Sequence, residues 1–184
     1  MSSCFAIALD PLEFEPVNDN SSTLAQLGFA SNVLNVPDNR RSASSVYDNN
    51  AIGTGYGRGR LDSVQAWSSR YNRIGEWFQM DAGSERDIAG VVIRGRYRSD
   101  QYVKSFKVQY AGNDLQFSSL EEGVEYSGSH NWHDSVSVPF SSSVRARYIR
   151  ILPRSWHKHI SMRCALIVGP VNCEADWENS GGCS

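Results

Sequence analysis

The sequence predicts an all-β sandwich, and three observations carry that prediction. From about Val33 onward, short apolar runs recur between clusters of Gly, Asn, Asp and Ser, the pattern of a sandwich or barrel. Residues 103–110 alternate with a period of two: Phe106, Val108 and Tyr110 face inward, and Ser105, Lys107 and Gln109 face outward. That period marks a sheet with one wet face. Helical periodicity is absent apart from one turn expected at 23–29.

Taken in order, residues 1–32 read as an N-terminal extension, broken by Pro11 and Pro16 and by a polar run over 18–23. A half-buried strand follows at 76–81, ending at Ala82-Gly83. A β-branched strand covers 88–96, and the alternating strand 103–110 comes next. Shorter runs at 135–140, 145–152 and 160–168 complete the set. The domain is therefore placed at 33–173, and the polar, Gly-rich 174–184 reads as a tail. Between Tyr47 and Ala66 no strand pattern appears over 18 residues, and Gly53, Gly55, Gly57 and Gly59 alternate. Structureless loops longer than about 12–15 residues are usually functional or disordered.

Composition narrows the function. A chain of 184 residues fits one domain with short extensions. A net charge of −2 lacks the basic surplus of a nucleic-acid binder. No apolar run approaches the roughly 20 residues of a membrane helix. The apolar patch 5–9 has no basic stretch before it and is too short for a secretion signal. The expectation is a leader already removed or never present. Asn20-Ser21-Ser22 is a glycosylation sequon of use only outside the cell.

The four cysteines, Cys4, Cys164, Cys173 and Cys183, lack the paired spacing of a zinc site. Three full pairings stay open. A bridge from Cys4 to the C-terminal group would close about 160 residues, worth on the order of 4–5 kcal/mol. A buried free thiol at Cys164 is the equal alternative. No nucleophile elbow, phosphate loop or zinc-protease helix is present, so the chain reads as a binder and not an enzyme.

Seven blocks carry a resemblance. They are 42–48 (Ser-Ala-Ser-Ser-Val-Tyr-Asp), 60–62, 66–68, 77–81 (Trp-Phe-Gln-Met-Asp), Gly95-Arg96 with 100–103, 147–151 with Pro153, and Trp156 with 160–163. In this order and over about 33–173 the chain resembles the discoidin domain, the C-type domain of coagulation factors V and VIII. The resemblance implies a distorted jelly-roll barrel of about eight main antiparallel strands. It also implies ligand-binding spikes at one end, here within 48–60, around 70–73, and at 96–100. Two departures stand out. The opening Cys of the family is missing near Leu27-Gly28, so Cys4, paired with Cys173, is the candidate substitute. A Glu often found on the last strand is replaced by Ala165.

The spikes hold six arginines, Arg58, Arg60, Arg70, Arg73, Arg96 and Arg98, against Asp48 and Asp100. The apolar candidates among them are Ile52, Ile74 and tyrosines, and tyrosine serves better as a stacking platform than as a membrane wedge. Arginine's planar fork suits vicinal hydroxyls and carboxylates. The expected ligand contacts are Asp48, Asn49, Tyr56, Arg58, Tyr71, Arg73, Arg96, Tyr97 and Arg98. The function expected is an extracellular, lectin-like adhesion module for cell-surface glycans or glycoproteins of the galactose type. The alternative partner is an anionic lipid headgroup or a matrix protein. No cofactor is required, although the oxygen-rich run at Asp48 and Asn49 admits a structural calcium. A single shallow site of this kind binds near the millimolar range, about −4 to −5 kcal/mol. Useful adhesion then calls for homo-oligomers or tandem modules.

Bland readings apply to several neighbours. Arg60 is expected to brace the scaffold, and Asp100-Gln101-Tyr102 to turn a strand. Trp67, Trp77 and Trp156 are expected in the core, and His157 and His159 on an exposed polar turn. Glu121-Glu122 reads as a solvated loop.

Overall fold

A computed structural model describes residues 32–169. The extension, the turn expected at 23–29, the Asn20 sequon, the candidate Cys4–Cys173 bridge, Cys183 and the tail lie outside the described residues. Among the described residues nine strands form: β1 (Asn32–Leu34), β2 (Arg41–Ala43), β3 (Trp67–Ser68), β4 (Phe78–Arg94), β5 (Tyr102–Ala111), β6 (Ser118–Ser119), β7 (Tyr126–Ser127), β8 (Ser135–His157) and β9 (Ser161–Val168). Every strand pairing is antiparallel. The described residues are all-β, as the alternation predicts.

Two long strands organise the molecule. The first half of β4 pairs with β2, and its second half pairs with β9. β8 pairs with β4 along both halves, 135–146 with the second half of β4 and 148–151 with its first, and its second half also pairs with β5. Each long strand therefore runs out of one layer into the other. The sequence reads these stretches as separate strands, split near Ala82-Gly83 and again after Phe140. The structure carries both through, because the interruption is absorbed as a register shift between Asp81 and Arg86. Asp81 Oδ1 accepts the Gly83 N–H at 2.7 Å, and Arg147 grips both Asp81 oxygens at 2.8 and 3.0 Å. These bonds satisfy the backbone at the bulge and let the ladder resume.

The core fills the space between the layers. Trp67, Phe78, Met80, Ile93, Phe106, Ile149, Ile151, Met162 and Leu166 are all fully buried. Trp67 stacks on Phe78 at 5.0 Å, and Cys164 Sγ lies 3.6 Å from Met80 Sδ across the layers. Each large apolar side chain so buried contributes roughly 1.5–3 kcal/mol. The core expectation holds for Trp67 but not for Trp77. A strand's period of two lets only one of Trp77 and Phe78 face inward, and Phe78 takes that place. Trp77 is half-buried on the outer face, beneath the Arg150 guanidinium at 4.3 Å, which Phe117 covers from its other side at 3.6 Å. Trp156 packs at the margin of the core.

Ala165 is fully buried with Val92 and Ile167, under Leu61 and Ala89. A carboxylate there would have no water. Cys164 is a free, buried thiol; burial pushes it up, against the pull of the Arg41 guanidinium beside it. Asn32 pairs with Val168, so the two ends of the described chain lie side by side. The other end of β9 pairs with β3, at Met162 with Trp67 and Ser161 with Ser68.

Candidate functional site

Four loops meet at the β3 end of the sandwich. The first begins with a 3₁₀ turn at Tyr47–Asn49 and folds back on itself. Asn50 Oδ1 accepts the Tyr56 N–H at 2.8 Å, and Gly53 N–H reaches the Gly57 carbonyl at 3.0 Å. Gly55 is required here: a Cβ would lie 2.0 Å from Asn50 Oδ1. The second loop, at 69–75, is tied to the first by Arg70 Nη1 donating to Asn49 Oδ1 at 2.7 Å. It is tied to the turn between β8 and β9 by Asn72, which donates to the Lys158 carbonyl and accepts the Ile160 N–H. The third loop, at 95–101, meets that same turn through Asp100, which accepts from Lys158 Nζ at 2.7 Å and pairs with His157 at 3.0 Å. These two partners hold the Asp100 carboxyl below its ordinary range.

Three buried charges fix the loop bases. Arg41 donates to the carbonyls of Val36, Gly59 and Cys164, locking the exit of the first loop to β9. Arg163 donates to Gly95, Ser63 and Trp132 carbonyls at 2.8, 3.1 and 3.2 Å, holding the root of the third loop. Among the described residues neither has a carboxylate within salt-bridge distance. Burial lowers both, Arg163 to about 10 with help from the nearby Arg94 charge. Glu76, also buried, accepts from the Ser44 and Ser45 hydroxyls and faces Arg73 at 3.4 Å.

Between the loops lies an open cleft of about 180 Å³, lined by Tyr47, Tyr56, Ser68, Arg96, Gln101 and His159. Tyr47 meets Tyr56 edge to face at 5.0 Å and meets His159 likewise at 5.7 Å. The Arg96 guanidinium lies 5.0 Å from the Tyr56 ring centre. Its Nε donates to Gln65 Oε1 at 2.7 Å and its Nη1 to Gln101 Oε1 at 2.9 Å. His159 Nε2 is 2.8 Å from the Ser69 carbonyl, so Nε2 carries the proton and Nδ1 is left for another partner. The Ser68 and Ser161 hydroxyls share a bond of 2.8 Å on the floor. Aromatic faces and polar groups converge on a space suited to one small polar ring.

The structure sorts the nine expected contacts. Tyr56 and Arg96 line the cleft. Asp48 and Asn49 stand beside it, in the same turn as Tyr47, with positive φ of 57° and 52°. Asn49 Oδ1 accepts from the Arg70 guanidinium, and no group of three or more His, Cys, Asp or Glu side chains assembles among the described residues. Arg58 is exposed and leans on its own loop, donating to the Gly53 carbonyl at 3.2 Å. Tyr71, 44% exposed, lies between Arg70 and Arg73 at 5.5 and 4.5 Å. Tyr97 and Arg98 form a separate group: Tyr97 packs edge to face on Trp132 at 5.9 Å, with Arg98 over its ring at 5.2 Å.

Sequence reasoning missed Tyr47, Ser68, Gln101 and His159. His159 is half-buried in the cleft wall and not on a wet turn, because Ser69 takes its Nε2 and Tyr47 covers its face. Gln101 does turn the strand, but its side chain also positions Arg96. Tyr47, Ser68 and Gln101 each stand in a stretch that carries the family resemblance, Tyr47 next to Asp48, whereas His159 lies outside those stretches. Arg60, expected as a scaffold bond, grips Asp62 at 3.0 and 2.9 Å, and that bond brings the Asp62 carboxyl down to about 2.

Comparison with known proteins completes the picture. The sequence profile of the F5/8 type C domain matches residues 41–166. Lactadherin of Mus musculus is 33% identical over 152 residues, covering 77% of this chain and 32% of that protein. The chain spans between 32% and 41% of the length of the lactadherins of mouse, rat and pig. The crystal structure of discoidin II of Dictyostelium discoideum superposes with a TM-score of 0.57 at 22% identity, covering 71% of this chain and 55% of that one. A Clostridium perfringens module in complex with GalNAc-β-1,3-galactose superposes with a TM-score of 0.56 at 12% identity, covering 75% and 99%.

Proposed function

The chain belongs to the F5/8 type C domain family, and from that premise we propose that it is a non-enzymatic adhesion module working outside the cell. Its ligand is a cell-surface glycan, held in the cleft between the first and third loops. The observation that carries this reading is the cleft's lining. The Tyr47 and Tyr56 rings offer an apolar face to one side of a pyranose. Arg96, Gln101, His159 and the Ser68 hydroxyl offer hydrogen bonds to its edge. A space of about 180 Å³ falls below the roughly 300–1,000 Å³ of pockets for drug-sized ligands, which suits a single sugar ring. The Clostridium module's disaccharide is in keeping with a sugar ligand on this fold.

Binding at one such cleft is weak, near the millimolar range. Adhesion then depends on several copies acting together, as oligomers or as tandem modules. The proposed contacts to the sugar come from side chains of the cleft and require no calcium.

A second reading has its own support. On the second loop Ile74 is 58% and Tyr71 44% exposed, flanked by Arg70 and Arg73. An exposed apolar tip ringed by cations fits an anionic membrane surface. Passage over immobilised galactose decides between the two. Retention released by free sugar is the expected result. Passage straight through, with salt-sensitive binding to phosphatidylserine vesicles, would replace the glycan reading with the lipid one.

A further inference from the structure

The cleft holds charge of one sign only. Arg96 is fixed by two neutral amides, Gln65 and Gln101, and no carboxylate lies within salt-bridge distance of it among the described residues. Around the rim, Arg60 is matched by Asp62, Arg73 by Glu76, and both His157 and Lys158 by Asp100. Arg58, Arg70 and Arg98 also lack a carboxylate within salt-bridge distance among the described residues, but only Arg96 lines the cleft. The two amide bonds use Nε and Nη1 of Arg96, which leaves Nη2 free of protein partners among the described residues. Across the cleft His159 has committed Nε2 to a carbonyl, and Nδ1 has no such bond. A guanidinium held rigid by amides, with one nitrogen to spare, is built for a planar anion.

Resting on the glycan reading above, we infer that the sugar this cleft takes is acidic: a pyranose bearing a carboxylate, which is met by the Arg96 guanidinium, with His159 Nδ1 left to accept from a ring hydroxyl. Tyr56 beneath the guanidinium and Tyr47 against the imidazole keep both groups aimed into the cleft. Neutral sugars make the stacking contacts but leave the arginine's charge unmatched. The neighbouring cations do not compete for the same anion: from the second loop, Arg70 is spent on Asn49 and the Tyr71 face, and in the turn between β8 and β9, His157 and Lys158 are both taken up by Asp100.

Titration of the full chain with galacturonate and with galactose, by calorimetry at pH 7.5, tests this. Galacturonate should bind about tenfold or more tightly than galactose. Its carboxyl is ionised there, since carboxyls of this kind titrate near 3.5. His159→Gln keeps a donor for the Ser69 carbonyl and should retain the bias for the acid. Arg96→Gln should remove the bias itself, with galactose binding reduced far less than galacturonate binding. Equal or tighter binding of galactose would overturn the inference and leave the glycan reading standing. Binding of neither sugar, with or without binding to phosphatidylserine vesicles, would overturn both.

Discussion

Gly59 and the ring of Phe78 are in contact so close that a Cβ on Gly59 would fall 2.2 Å from Phe78 Cζ. The last of the alternating glycines is thus a packing residue. Its carbonyl accepts from both Arg41 Nη1 and the Cys164 N–H, each at 3.0 Å, so it cannot retreat. Gly59→Ala should cost about 1–3 kcal/mol by overpacking. Urea denaturation measures it, and an unchanged midpoint would show that the first loop is free to shift.

Arg163→Met should be among the most damaging single substitutions outside the apolar core. It preserves length but leaves the Gly95, Ser63 and Trp132 carbonyls without their donor. An orphaned buried acceptor costs about 1–3 kcal/mol; Gly95 is buried and Ser63 and Trp132 are half-buried, so a loss of about 2–3 kcal/mol is expected. Chemical denaturation reads the loss, and Arg163→Lys should recover only part of it, since one ammonium cannot reach three divergent carbonyls.

Acid should weaken the fold partly through Asp81. Burial pushes this carboxyl up, but the Arg147 fork and the Gly83 N–H outweigh burial and leave it below the ordinary range. A depressed carboxylate contributes stability that is fully present above the unfolded value, near 4, and is lost as pH falls through the folded value. Asp81→Asn should cost about 1.5–3 kcal/mol at pH 7, the worth of hydrogen bonds to a charged group. It should also flatten the stability profile between pH 5 and 2. Denaturation series of both proteins across that interval provide the check; parallel profiles would exclude Asp81 as a source of acid sensitivity.

The two arginines of the third loop should separate cleanly. Arg96→Ala should reduce sugar binding by more than about tenfold, at a stability cost of about 1 kcal/mol for its half-buried bonds. Arg98→Ala should leave affinity unchanged and stability within about 0.5 kcal/mol, because Arg98 is exposed over Tyr97, outside the cleft lining. Loss of binding in Arg98→Ala alone would move the site to the Tyr97–Trp132 side of the loop.

Chelation should change nothing. With Asn49 bonded to Arg70, EDTA is expected to leave both sugar affinity and melting temperature unaltered. A drop in either would show that the first loop exchanges its guanidinium for a metal ion.

Much of the architecture was legible because alternation is a strong signal. The strand at 103–110 and the fully buried 161–168 announce themselves through apolar spacing alone. The continuity of β4 and β8 was not legible, since it depends on Arg147 reaching Asp81 from 66 positions away. The site was half legible. Arg96 and Tyr56 stood out as a charge and an aromatic in unpatterned loops. Gln101 and His159 did not, because their roles come from partners in other loops, Arg96 for one and Ser69 for the other. Tyr97 and Arg98 looked equivalent to Arg96 in sequence, but Trp132 draws Tyr97 to itself. Neighbours along a tight turn point different ways, and only packing decides which way.

The pairing of Asn32 with Val168 has a consequence for how this module is carried. Residues 32 and 168 sit together at one pole, and β9 runs to that pole from the opposite one, where the cleft opens. A tether at the two described ends would therefore leave the mouth of the cleft on the side turned away from it.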